Sequence, residues 1–259
     1  MITVKQFNDV KRMIAAYWST LELGEVKSEF ARKGLLTQNT KLAKGSNYNM
    51  GLELLPSVLA PHFNACPGAG ACRYSCLAFS GAGNVIRGPK MLASGELNDM
   101  IKFKARKSFL YLNDQSFFEA ILRVELQRHS LIAGLEGKTF GARLNTTSDV
   151  DWKEFTESMP EIRFYDYTKV WDRGGSTNYH LTYSASELTA DTAIKAKLRA
   201  GHNVAVVFPS ERPATHLGYP VINGDTDDDR YDDPRGVIVG LSLKVTIGGG
   251  GKTSPLVRG

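Results

Sequence analysis

The second half of the sequence alternates short apolar runs with polar or helix-like connectors, and this alternation restricts the fold more than any other feature. The strand-like runs are TFGARLN (139–145), IRFYDYT (162–168), YHLTYS (179–184), NVAVVF (203–208), GYPVING (218–224) and GVIVGLSLK (236–244). The connector ELTADTAIKAKLRAG has helical character and ends at Gly201, a residue type common just after a helix. Strands that alternate with helices usually pair in parallel. The sequence therefore predicts an α/β fold whose strands form a partial or full parallel (β/α) barrel.

The first part of the chain predicts helices and a single strand. Phe7, Val10 and Ile14 recur near helical spacing, which indicates an N-terminal helical extension. The run NMGLELLP (49–56) predicts the first strand of the sheet. Two helices are predicted between residues 95 and 133, the second of them capped by Asp114.

The length and composition fit one large globular domain. The 259 residues are 42% hydrophobic and 23% charged, and they contain no internal repeat or low-complexity linker. We expect a helical extension over residues 1–45, a barrel-like domain over 46–245 and a flexible tail over 246–259. No secretory signal is recognisable, and no run approaches the ~18 apolar residues of a membrane-spanning helix. We therefore expect a cytoplasmic protein without a membrane partner.

Polar residues accumulate where the predicted strands end. They are Asn145, Ser148, Asp149, Asp166, Lys169, Ser184 and Asp225. Because the carboxyl ends of parallel strands meet at one edge of a sheet, we expect these side chains to face one cavity. Asp149, Asp166 and Lys169 are the candidates for catalysis, through anion binding or proton transfer. The remaining four are candidates for cofactor binding.

Two of these features have structural alternatives. Asp149 is equally suited to cap the helix that begins at DWKEF. The acidic run 225–233 is either a solvated turn or part of the lining of the site, and it lacks the central glycine and final glutamate of a helix–loop–helix calcium site.

All three cysteines of the chain lie in one loop directly after the first predicted strand. The segment FNACPGAGACRYSCLAF contains Cys66, Cys72 and Cys76. Clustered thiols in a chain without a secretory signal indicate a metal site more often than disulfides. Three thiolates are one fewer than a closed tetrahedral zinc site needs, and they suit a metal or cluster with one open position. His62 is a candidate for a fourth ligand.

The chain carries a formal net charge of +5, and part of the excess is local. The basic residues of this region are Arg87, Lys90, Lys102, Lys104, Arg106 and Lys107. Such a cluster is compatible with a phosphate-bearing partner, a nucleotide or nucleic acid, and equally with a solvated helix face.

The segment CPGAGACRYSC resembles the three-cysteine loop of radical S-adenosylmethionine (SAM) enzymes, which follows the first strand of a partial α/β barrel. Tyr74, between the last two cysteines, and the later segment TSD add to this resemblance, although the cysteine spacing is wider than in that superfamily. Together with RLNTTSD, FYDYTK and INGDTDDDRYDDPRG, the loop more closely resembles the gene-product-88-like proteins of phages and plasmids, over roughly residues 45 to 245.

The resemblance implies that Cys66, Cys72 and Cys76 bind a [4Fe–4S] cluster, with SAM as a candidate cosubstrate, and a location in the host cytoplasm. A nucleotide or nucleic acid is the candidate substrate. One alternative is a zinc-containing barrel enzyme, a transglycosylase or hydrolase of nucleic-acid bases, with Asp149 or Asp166 as nucleophile or base. Another is a non-catalytic DNA-binding accessory protein with a structural metal. The sequence leaves the oligomeric state open.

Overall fold

The computed structural model describes residues 3–74, 76, 94–209 and 211–243. The helices are α1 (Val4–Trp18), α2 (Leu23–Lys33), α3 (Asp99–Asn113), α4 (Gln115–Leu135), α5 (Lys153–Glu157) and α6 (Asp191–Arg199). The strands are β1 (Leu36–Thr37), β2 (Tyr48–Leu52), β3 (Phe140–Arg143), β4 (Arg163–Thr168), β5 (Tyr179–Ser184), β6 (Asn203–Phe208), β7 (Thr215–His216), β8 (Tyr219–Asn223) and β9 (Ile238–Ser242). The predicted tail 246–259 and two of the basic residues, Arg87 and Lys90, lie outside the described residues.

The described strands form one sheet in the order β1-β2-β3-β4-β5-β6-β9-β8-β7. Neighbouring strands from β2 to β8 are parallel, whereas β1 and β7 are short antiparallel strands at the two edges. The predicted α/β class with parallel pairing is therefore confirmed. The predicted barrel is not, because β1 and β7 do not pair and the sheet stays open.

The helices that follow the sheet strands pack on one face of the sheet. α3, α4 and α5 bury the side of β2 to β5 that carries Leu52, Phe164 and Leu181, and α6 covers the same side of β6. Because side chains alternate along a strand, neighbouring residues point to the opposite face. We call that opposite face the polar face; its residues are Asn49, Arg143, Tyr165, Tyr167, His180, Thr182 and Asn203.

The N-terminal helices form as the sequence predicts and pack on α3. α1 begins with a capping box in which Thr3 and Gln6 each accept a hydrogen bond from the other's backbone N–H. Its apolar stripe, Phe7, Val10 and Ile14, is buried against residues that include Leu55 and Ile101. No described helix combines the length and apolarity that crossing a membrane requires.

Three basic residues of α3, Lys104, Arg106 and Lys107, are paired or buried inside the protein and do not form an exposed rim. Lys104 is 5% exposed and contacts Glu53 at 3.0 Å, and Arg106 donates to Glu29 at 2.7 Å. Lys107 is completely buried, with its ammonium 4.5 Å from the centre of the Phe103 ring. Both sequence-based interpretations, a phosphate-binding rim and a solvated helix face, are therefore wrong for these three residues, because α3 is enclosed by α1, α2 and α4.

The burial of Lys107 predicts a pH dependence of stability. Desolvation lowers the pKa of Lys107 from its ordinary 10.5 to about 8, and its Nζ has no hydrogen-bond partner. Between these values the unfolded chain binds more protons than the folded one, so the free energy of unfolding should rise with pH, by up to roughly 3 kcal/mol. Lys107→Met should remove this rise and stabilise the protein at pH 7 by about 1–3 kcal/mol, measured by urea unfolding.

The neighbouring lysine provides a matched control. Lys104→Met leaves the half-buried Glu53 without its cation, so it should destabilise the protein at pH 7. If the free energy of unfolding of Lys107→Met still rises between pH 8 and 10.5 as in the native chain, a group other than Lys107 titrates in this range.

Candidate metal and catalytic site at the carboxyl edge of the sheet

The cysteine loop lies across the carboxyl ends of β3 and β4. The Asp149 N–H, beyond the end of β3, donates to the Ala65 carbonyl of the loop at 2.6 Å. Gly68 packs against Lys169, just after β4, so closely that a Cβ on this glycine would lie 2.8 Å from the Lys169 carbonyl oxygen. Asp149 and Lys169 therefore lie together beneath the loop, as the strand-end argument predicts.

Asp149 is the residue that joins these segments. Its carboxylate accepts the Lys169 N–H at 2.8 Å and forms a buried ion pair with Arg173, whose guanidinium also donates to the Asp149 carbonyl at 2.9 Å. The helix that follows, α5, has Trp152 at its N-cap, so the interpretation of Asp149 as a helix cap is wrong. Arg173 was not among the sequence candidates, although it follows β4 by only a few residues.

The three thiols share this neighbourhood. All three are partly buried. Burial raises the pKa of Cys66 to about 12, and the charges of Cys76, Asp149 and Cys72 add to this effect, whereas a hydrogen bond donated by the Ser57 N–H at 3.2 Å opposes it. Burial also raises the pKa of Cys72, while the nearby Lys169 ammonium lowers it. The thiols are therefore close enough to influence one another electrostatically.

The chemistry of this donor set fits a thiolate-bound metal or iron–sulfur cluster, because all three cysteines are partly buried and Cys66 lies within the electrostatic reach of Cys72 and Cys76. The side chains are not arranged for coordination as they stand. Within the described ranges, no group of three His, Cys, Asp or Glu residues is close enough to hold a metal ion. The candidate fourth ligand His62 is exposed, with a left-handed backbone (φ 59°). Binding would therefore require side chains of the loop to reorient.

Glu187 is a site residue that the sequence analysis missed. One of its carboxylate oxygens is buried without a hydrogen-bond partner, and the other lies 3.7 Å from the position of a Cβ on Gly70 in the cysteine loop. Its charge also contributes to the raised pKa of Cys72. Glu187 lies shortly after the end of β5, so the strand-end argument, continued by three residues past Ser184, would have found it.

Asn145, Ser148 and Asp166 form a buried layer under the loop. The Asn145 side-chain oxygen accepts from the Ser148 hydroxyl at 2.9 Å and from the Val150 N–H at 2.8 Å. Asp166 accepts from the Asn145 N–H at 2.8 Å and the Tyr179 hydroxyl at 2.9 Å. Burial raises the pKa of Asp166 to about 7, partly offset by Arg143. These contacts hold the turn that carries Asp149.

Ser184 and Asp225 are not joined to this arrangement by any described contact. Ser184 ends β5 and is paired with Ala205 in the sheet. The Asp225 carboxylate accepts from Arg212 at 2.7 Å and from the Ser242 N–H at 2.8 Å. The prediction that Asp225 shares the cavity is wrong for a topological reason: β5, β6 and β9 separate β8 from β4.

The acidic run lies against the polar face of the sheet. Asp228 is completely buried and contacts Arg143 at 2.8 Å and Lys41 at 3.2 Å, and Arg230 is 2% exposed. The interpretation of a solvated turn is therefore wrong for the centre of the run. Desolvation raises the pKa of Asp228, but Arg143 and Lys41 outweigh it and hold this pKa below its usual range.

Comparison with known proteins assigns the chain to a family. The family model described as gene product 88 matches residues 33–249, which is most of the chain and includes the cysteine loop, Asp149, Lys169 and the acidic run. Searches of curated proteins and of solved structures gave no significant match. The chain belongs to the gene product 88 family.

Proposed function

We propose that this chain is a radical SAM-like enzyme in which Cys66, Cys72 and Cys76 hold a [4Fe–4S] cluster and whose substrate is a nucleotide or nucleic acid. The observation that carries the proposal is the anchoring of the cysteine loop on Asp149 and Lys169 at the carboxyl ends of β3 and β4. Catalytic groups of α/β enzymes gather at this edge of the sheet. A group held by the thiols would therefore lie where substrate binding is expected.

A cluster with three thiolate ligands leaves one iron open to a substrate or cosubstrate, for which we propose SAM. Burial raises the pKa of Cys72, and the nearby Lys169 ammonium opposes this rise and so favours the thiolate that ligation requires. Arg173 balances the Asp149 charge, which otherwise opposes thiolate formation at Cys66.

A zinc enzyme is the second candidate, and Glu187 is the observation that favours it. Its unpartnered carboxylate oxygen beside Cys72 supplies the kind of fourth ligand that three thiolates lack. Asp149 is poorly suited to be the nucleophile of such an enzyme, because its carboxylate is already bound by Arg173 and the Lys169 N–H. Lys104 and Arg106 give no support to the DNA-binding alternative, since both are paired with carboxylates inside the protein.

Metal analysis of protein purified without oxygen tests the proposal. The native chain should be brown, with broad visible absorbance and about four iron and four sulfide per chain. Each single Cys→Ser variant should lose most of this iron, because a cluster with two thiolates is poorly held. Glu187→Gln is the discriminating control: it should retain the iron of a cluster but bind zinc more weakly if zinc is the native metal. A colourless native protein with stoichiometric zinc would contradict the iron–sulfur proposal.

A further inference from the structure

A second candidate site is a cleft of about 380 Å³ at the amino edge of the sheet. Its lining includes Arg163 at the start of β4, His180 near the start of β5, and His202 just before β6. Tyr231 and Arg235 complete the wall from the segment that covers the polar face. Because the cysteine loop lies at the carboxyl ends of β3 and β4, this cleft is at the opposite edge of the sheet and separate from the site described above.

The charged groups of the cleft are mainly cationic. Arg163 lies over the Tyr231 ring, with its guanidinium carbon 5.5 Å from the ring centre, and its contact with Asp232 is long, at 3.4 Å, between two exposed side chains. Asp232 is the only carboxylate among the lining residues. Within the described part of the chain, Arg235 makes no ion pair. One weakly held carboxylate therefore faces two guanidinium groups.

His180 forms part of the wall of the cleft and is a hydrogen-bonding group without a partner. Its Nε2 is buried and makes no hydrogen bond. Desolvation, together with the charges of Arg235, His202 and Arg230, lowers the pKa of His180 to about 4. Arg230 is paired with Asp227 and Asp233, so the least balanced positive charge at this cleft belongs to Arg163 and Arg235.

We propose that this cleft binds the phosphate group of a phosphorylated small molecule, with Arg163 and Arg235 as cationic contacts and His180 in the wall beside them. Guanidinium groups match the oxygens of a phosphate in charge and geometry. The volume lies within the range of small-molecule sites, so it suits a mononucleotide-sized ligand. The inference does not depend on the cysteine site.

The test uses the full chain with isotope-labelled histidines, of which the sequence has five. Inorganic phosphate, uridine monophosphate and uridine are titrated separately at constant ionic strength. Both phosphate compounds should shift the His180 signal, identified with His180→Gln, and raise the pKa of His180, while His129 and His216, which do not line the cleft, stay unchanged. Uridine should have no effect.

Calorimetry supplies the second measurement. Arg235→Gln should weaken binding of the monophosphate by at least about tenfold, because a charge-assisted contact is lost. Arg235 is exposed, so the variant should fold, and Arg12→Gln on α1 is a control at an exposed arginine that should bind like the native chain. Unchanged affinity in Arg235→Gln, an unmoved His180 signal, or binding of inorganic phosphate without the monophosphate would each overturn the proposal. Binding that persists in Cys66→Ser would separate this cleft from the metal site.

Discussion

Replacing Arg173 with methionine should lower the free energy of unfolding by about 3–5 kcal/mol, because the change leaves Asp149 as an uncompensated buried charge. Arg173 and Asp149 are both less than a tenth exposed, and Asp149 also holds the cysteine loop through Ala65. The same variant should therefore loosen the loop. We expect faster reaction of the thiols with a labelling reagent and a lower metal content, measured beside urea unfolding.

A double variant distinguishes the destabilisation caused by an uncompensated buried charge from the destabilisation caused by lost packing. Asp149→Asn combined with Arg173→Met removes both charges, so it should regain a large part of the stability lost in the single variant. Arg12→Met is the matched control, because Arg12 pairs with Asp9 on the surface, and it should cost less than about 1 kcal/mol. A single variant as mild as this control would contradict the role given to the Asp149–Arg173 pair.

The second large effect is expected at Asp228. Asp228→Asn keeps the shape of the side chain but removes the closest anion of the buried Arg143, which then has only Asp166 at 3.9 Å, so it should destabilise the protein by about 3–5 kcal/mol at pH 7. The pKa of Asp228 is lower in the folded than in the unfolded chain. Its contribution to stability is therefore present at neutral pH and is lost as pH falls below the unfolded value. The difference in free energy of unfolding between the native chain and the variant should therefore decrease from pH 7 to pH 3, as measured by urea unfolding.

The same loop supplies the control for this prediction. Asp232 is more than half exposed and contacts Arg163 at 3.4 Å, so Asp232→Asn should change the free energy of unfolding by less than about 1 kcal/mol. Equal effects of the two substitutions would show that Asp228 is not a buried anchor of the acidic run to the polar face.

The residue pattern alone predicts the α/β class, most of the strands and helices, and the meeting of Asp149, Lys169 and the cysteine loop. These features depend on local patterns. Alternation and helical spacing locate the elements, and parallel pairing sends every strand's carboxyl end to the same edge. The loop begins just after β2, and β2 pairs with β3, so its cysteines had to lie near the residues that follow β3.

The pairing of the charges and the order of the strands in the sheet follow from three-dimensional packing and not from the residue pattern. β9 lies between β6 and β8 in the sheet, so Asp225, which follows β8, is far from the site. The sheet ends at β1 and β7, which do not pair with each other, so it does not close into the expected barrel. The lysines of α3 and the acidic residues of the 225–233 run look alike in sequence whether they are solvated or buried. Packing of α3 among α1, α2 and α4 buried Lys104 and Lys107, and packing of the acidic run on Arg143 buried Asp228. Glu53 and Arg143, the partners of Lys104 and Asp228, lie far away along the chain.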